Sequence, residues 1–170
     1  MEEINTVLTK ALPEDLDEIN ALCREVALKT PSSQWDEHYP SRELLQRDIA
    51  SGSLYKVLHQ EKIISIMQIR PWADFAGDED ESNVWDSKAK NPCGLGRFCV
   101  SPELQGHGLG RRIMTASLEK ARELGYDSAM FHAIEGNDVA NHLYESMGFI
   151  RLGELQEFGM DFICYEMKLS

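Results

Sequence analysis

No apolar run in this 170-residue chain approaches the length needed to cross a bilayer as a helix. The first residues, Met1-Glu2-Glu3, are acidic and lack the basic-then-apolar order of a secretory signal. Cysteine is sparse. Cys23, Cys93, Cys99 and Cys164 are scattered with no Cys-x-x-Cys pair, which argues against a zinc site or disulfide frame and for reduced thiols. Basic residues are in deficit: 17 Lys and Arg stand against 29 Asp and Glu, a formal charge of −12. Such a chain repels nucleic acid and anionic membrane unless its cations are segregated. These absences predict a cytoplasmic protein with no metal, no nucleic-acid partner and no membrane association. Repeats and low-complexity linkers are missing too, so a single domain over residues 1–170 is expected, long enough to bury a sizeable core.

Two familiar phosphate-binding motifs are also missing. A P-loop needs Gly-x-x-x-x-Gly-Lys-Ser/Thr, and no such run exists. A Rossmann turn needs Gly-x-Gly-x-x-Gly, but here the third glycine comes one residue early and Arg111 holds its place. The chain instead has Arg97-Phe98-Cys99-Val100, then Pro102, then Gln105-Gly106-His107-Gly108-Leu109-Gly110-Arg111-Arg112. That order predicts a strand, a glycine-rich turn and a helix N-terminus. Glycine lets a ligand approach the backbone closely. The first turn of a helix offers N–H groups without internal partners and a partial positive charge. Together these make a site for a phosphate or diphosphate.

Gln105, Gly108 and Gly110 fit Gln/Arg-x-x-Gly-x-Gly/Ala, and the stretch resembles motif A of the GNAT superfamily of N-acetyltransferases. Val100-Ser101-Pro102-Glu103 is similar to the strand end before that loop. Asn137-Asp138-Val139-Ala140-Asn141-His142-Leu143-Tyr144-Glu145-Ser146-Met147-Gly148-Phe149 resembles the family's motif B. The likeness spans about residues 93–155. It implies an α/β fold: a mixed twisted sheet of about six to seven strands, helices on both faces, and a central parallel strand pair that splays apart.

Periodicity places strands at 4–11, 54–58, 63–69, 95–100 and 128–134, with a final hairpin of 149–155 and 158–168. Helices are expected from Pro13 to about Lys29, from a Ser41 cap to Ser51-Gly52, from Gly108 to Leu124, and over motif B. The third should bury Leu109, Ile113, Ala116, Ala121 and Leu124, and Gly125 should stop it. Glu43 and Asp48 read as solvated. Residues 73–91 read as an acidic, irregular stretch around Trp72, Phe75 and Trp85. The right-handed crossover rule makes the unit from Leu95 to Ile134 a parallel βαβ pair.

The resemblance also implies chemistry. Acetyl-CoA is the expected co-substrate, with an unidentified amine as acceptor, and a second copy of the chain is an admissible partner. Backbone groups of Phe98 and Val100 would meet the pantetheine arm, with Cys99, a small buried strand residue, between them. Gln105, Gly106, His107, Gly108, Leu109, Gly110 and Arg111 would take the pyrophosphate, with His107 exposed at the loop tip. Arg111-Arg112 and Lys88/Lys90 are the local cationic clusters. By the same resemblance Asn137, Ala140 and Tyr144 of motif B would also meet the cofactor, with Asn137 open to capping the helix instead. Tyr144 matches the general acid that protonates the departing thiolate. The Val100 N–H matches the donor for negative charge on the acyl oxygen.

The base is the gap in this reading. Many relatives carry a glutamate on the strand before motif A, but here it reads Gly94-Leu95-Gly96-Arg97-Phe98. His132, Glu135 or an ordered water are the candidates. Trp35, Asp36, Glu37, Tyr39, Trp72 and Trp85 could present aromatic faces and carboxylates to a cationic amine, or the tryptophans could simply pack against the sheet. The leading expectation is an acetyl-CoA-dependent N-acetyltransferase acting through a ternary complex. The alternative is a non-catalytic acyl-CoA-binding or regulatory module on the same fold. A nucleotide-binding oxidoreductase is disfavoured by the glycine spacing.

Overall fold

A computed structural model describes residues 3–75, 87–157 and 159–169. Its strands are β1 (Thr9–Lys10), β2 (Leu54–His59), β3 (Lys62–Pro71), β4 (Pro92–Val100), β5 (Ser128–Ile134), β6 (Ile150–Glu157) and β7 (Met160–Lys168). The helices are α1 (Leu16–Lys29), α2 (Arg42–Ala50), α3 (Trp72–Phe75), α4 (Leu109–Glu123) and α5 (Asp138–Met147). Short 3₁₀ turns occupy Pro13–Asp15, Pro31–Ser33 and Pro102–Leu104. The strands form one mixed sheet in the order β1-β2-β3-β4-β5-β7-β6. Pairing of β4 with β5 is parallel, as the crossover rule requires, and its rungs run from Pro92↔Ser128 to Gly94↔Met130. β5–β7 and β6–β7 are antiparallel.

The chain divides into two compact units, Met1–Ile69 with Gly96–Ser117 and Arg70–Leu95 with Leu118–Ser170. In the first, α1 buries Ile19, Leu22, Cys23 and Val26, a one-sided helical stripe. Ser41 Oγ accepts from the Leu44 N–H and starts α2, which buries Leu45 and Ile49. These helices share a core with Leu54, Ile63, Ile66 and Cys99 of the strands. Gln60 and Glu61 are both left-handed (φ 51° and 64°), as a tight two-residue hairpin between β2 and β3 demands.

In the second unit Trp72, Met130 and Cys164 form a core joined by Leu152 and Leu155. Asn137 Oδ1 accepts from the Ala140 N–H and caps α5, and left-handed Gly148 (φ 101°) ends it. The cap is one of the two roles open to Asn137 in the sequence. Left-handed Gly125 (φ 94°) follows the end of α4.

Several expectations are corrected. The first strand is only Thr9–Lys10, because Lys56 and Tyr55 are the residues it pairs with, while Ile4 and Leu8 are buried without joining the ladder. On α4, Leu109, Ile113 and Ala121 are buried as expected, but Ala116 is only half-buried and Leu124 is 45% exposed; Met114 and Leu118 complete the buried face. Asp48 is not solvated: it is buried on the apolar face of α2 and paired with an arginine. Of the acidic stretch, residues 76–86, Trp85 among them, lie outside the described residues.

Candidate active site

The glycine-rich segment lies in the first unit. Val100 ends β4, the Pro102–Leu104 turn follows, and Gly106 and Gly108 take left-handed φ values of 86° and 72°. Those two positions require glycine: an added Cβ would meet no protein atom within 4 Å at either, so the obstacle is backbone conformation. Gly106, His107 and Gly108 are exposed. α4 starts at Leu109, and its entry bond runs from the Arg112 N–H to the Gly108 carbonyl at 3.3 Å. Among the described residues, the backbone N–H groups from Gly106 to Gly110 make no hydrogen bond. Unpartnered donors at a helix start, those of Gly106, His107 and Gly108 on exposed residues, suit a diphosphate.

The side chains around this loop hold it together. Gln105 Nε2 donates to Thr30 Oγ1 and to the Val100 carbonyl, each at 3.1 Å. The Leu109 side chain is buried, so only its amide faces the loop. Arg112 donates through Nη2 to the Ile4 carbonyl at 2.6 Å, so this guanidinium ties down the N-terminal segment. The Cys99 side chain is buried beside Cys23; their mutual hydrogen bond and burial push the Cys99 thiol well up, leaving it un-ionised. The Ser101 N–H donates to the Ile64 carbonyl on β3, and the Cys99 carbonyl accepts from Ser65 Oγ. Main-chain groups alternate edges along a strand, so the Val100 N–H faces away from β3.

The second unit carries the motif B tyrosine. Tyr144 lies in the last full turn of α5, half-buried, with its ring 4.7 Å from Phe131 and 5.6 Å from Tyr165. Burial pushes its phenol up to about 12. It is therefore protonated at neutral pH, and among the described residues its hydroxyl makes no hydrogen bond. Behind it, Tyr165 Oη donates to Glu145 Oε2 (3.1 Å) and Asn141 Oδ1 (3.3 Å). Asn141 Nδ2 in turn donates to the carbonyls of Ile134 and Glu135, fixing α5 to the end of β5. This second motif B asparagine escaped the sequence reading, although its place four residues after Asn137 on the same helix face was a signal.

His132 packs edge-on to Trp72 at 5.7 Å and near Phe162 at 6.2 Å. Burial pushes its imidazole down to about 4, so it is neutral and a weak base. Glu135 is exposed just past β5. Of the tryptophans described, Trp35 lies half-buried against the first core and Trp72 is part of the second. Among the described residues no cluster of His, Cys, Asp and Glu is placed to hold a metal ion, and no helix is long and apolar enough to cross a membrane.

Comparison with known proteins bears on this arrangement. A mycothiol acetyltransferase of Thermobispora bispora is 46% identical over 52 residues, 31% of this chain and 18% of that protein. The L-amino acid N-acyltransferase MnaT of Escherichia coli is 34% identical over 64 residues, 37% of either chain. The chain thus spans less than two fifths of the length of either relative. The PaiA N-acetyltransferase of Thermoplasma acidophilum, solved in complex with coenzyme A, superposes with a TM-score of 0.70 over 98% of this chain and 99% of that one, at 18% identity, a likeness of fold. The model of the acetyltransferase (GNAT) family matches residues 16–149, most of the chain and both motif regions, and the protein belongs to that family.

Proposed function

We propose that this protein is an N-acetyltransferase of one domain that moves the acetyl group of acetyl-CoA to a primary amine of a small molecule or peptide within a ternary complex. The observation that carries the reading is the run of uncommitted backbone N–H groups from Gly106 to Gly110. In it, these amides hold the diphosphate, while Phe98 and Val100 offer main-chain groups to the pantetheine amides as an added strand would. Acetyl-CoA supplies an acyl group activated on sulfur.

The remaining roles follow from local chemistry. The Val100 N–H donates to the acyl oxygen as negative charge develops there, a contribution that grows in the transition state. Tyr144 keeps its proton at neutral pH and passes it to the departing sulfur. The acceptor amine must shed a proton first, because a free alkyl ammonium titrates at about 10. An imidazole that titrates near 4 is poorly matched to that task, which leaves Glu135 or an ordered water as the base. The acidic surface favours a cationic acceptor, and the likeness to an L-amino acid N-acyltransferase adds α-amines to the candidates.

The test is thiol release from acetyl-CoA in the presence of polyamines, aminoglycosides, L-amino acids and short peptides, with the product mass checked for one added acetyl group. Amine-dependent release supports the reading. Tight CoA binding with no release for any amine would make the chain a binding module, and absence of CoA binding would refute the site altogether.

A further inference from the structure

Arg97 lies inside β4, three residues before Val100, and has a left-handed φ of 51°. The other non-glycine residues with positive φ among those described are Gln34, Gln60 and Glu61, which belong to turns. A left-handed residue within a strand marks a bulge, where the edge to which following groups point is reset. An L side chain disfavours that conformation, so it persists only where its surroundings impose it.

Here the surroundings do so. Arg97 Nε donates to Asp48 Oδ2 at 3.0 Å, and Nη1 donates to Tyr39 Oη at 2.7 Å. The two charged side chains are only 14% and 6% exposed, so water screens their attraction little. Asp48 is carried by α2, so the clamp ties the strand to a helix. Beyond the bulge, the bonds from Ser101 to Ile64 and from Ser65 to the Cys99 carbonyl turn residues 99 and 101 toward β3. The Val100 N–H is thereby left on the opposite edge.

We propose that Arg97, clamped by Asp48 and Tyr39, is a positioning residue for acyl transfer: it locks the β4 bulge that aims the Val100 N–H. The proposal rests on the reading of Val100 as donor to the acyl oxygen. Arg97 touches no reacting atom; it acts through the backbone. An arginine amid Leu95, Phe98 and Cys99, and an aspartate on the buried face of α2 between Leu45 and Ile49, were the sequence signals for this pair.

The test compares Arg97→Ala with Arg97→Gly. Both remove the same contacts and strand Asp48 equally; they differ in the penalty for a left-handed backbone. The expected kcat for acetyl transfer falls below wild type in both, and about tenfold further in Arg97→Ala than in Arg97→Gly. KM for acetyl-CoA stays the same in the two, because the loop amides are untouched. A purely structural role would lower the yield of folded protein without separating kcat from KM. If either variant fails to fold, the pair is repeated on an Asp48→Asn background, where no charge is stranded. Equal kcat values for Ala and Gly, or wild-type kcat in Arg97→Ala, would overturn the proposal. Amide exchange at Ser101 gives a readout independent of catalysis: protection should drop more in Arg97→Ala than in Arg97→Gly. If the wild-type chain acetylates no amine, the functional reading fails, while equal Ser101 exchange in the two variants sinks the clamp itself.

Discussion

Replacing Gly108 by alanine probes the proposed diphosphate loop with few side effects. The residue sits at φ 72°, and a Cβ placed there meets no protein atom within 4 Å. The folded protein therefore suffers no clash and loses only about 1 kcal/mol to the left-handed conformation. For a chain of this size that lowers Tm by about 2–4 °C. The ligand pays more, because the new methyl stands beside the amides that should face the phosphate oxygens. Losing one charge-assisted hydrogen bond costs about 1.5–3 kcal/mol, a rise in Kd for CoA of roughly ten- to a hundredfold. Gly125→Ala is the control, since Gly125 is also left-handed (φ 94°) and equally open but lies beyond the other end of α4. Calorimetric titration with CoA and a thermal melt on both variants separate the effects. Equal drops in Tm with a CoA affinity changed by less than about twofold in Gly108→Ala would refute the role assigned to the loop.

Tyr144→Phe should fold normally and bind CoA as wild type, yet lose about 10²–10⁴-fold in kcat, the usual contribution of a positioned acid; single-turnover kinetics with a reactive amine decide it. His132→Ala should leave the acidic limb of the kcat/KM profile in place, because the folded imidazole titrates near 4 rather than 6.5. The same depression means the unfolded chain takes up this proton first as pH falls, so His132 subtracts stability between about pH 6.5 and 4, and urea midpoints across that window should show a shallower acid slope in the variant. Asn137→Ala removes a helix cap and should cost about 1 kcal/mol of stability; a CoA affinity that stays at the wild-type value would confine Asn137 to capping.

What could be read from the sequence was what is encoded locally. Glycine spacing around Gly108, the Asn137 cap and Gly148 stop of α5, and the short apolar run of β5 depend on neighbours a few residues away, and those elements stand where expected. The Arg97–Asp48 pair joins residues 49 positions apart, and Asp48 looked like one more acid on a strongly acidic chain. Trp35 and Trp72 have the chemistry to bind a cation, but whether an indole face is open depends on packing that the linear pattern does not carry. β1 shrank for a related reason: apolar residues such as Ile4 and Leu8 can fill a core without extending a ladder.

The carboxamide of Gln105 reaches both the Thr30 hydroxyl, just after α1, and the Val100 carbonyl. In the proposed site this makes position 30 a tuning point. Drift from threonine to valine there would keep the shape but delete one anchor of the turn, and ligand affinity would shift with no change in the turn's own residues. If the loop binds a diphosphate as proposed, natural variants that differ at the end of α1 would set how firmly that ligand is held, independently of acceptor choice.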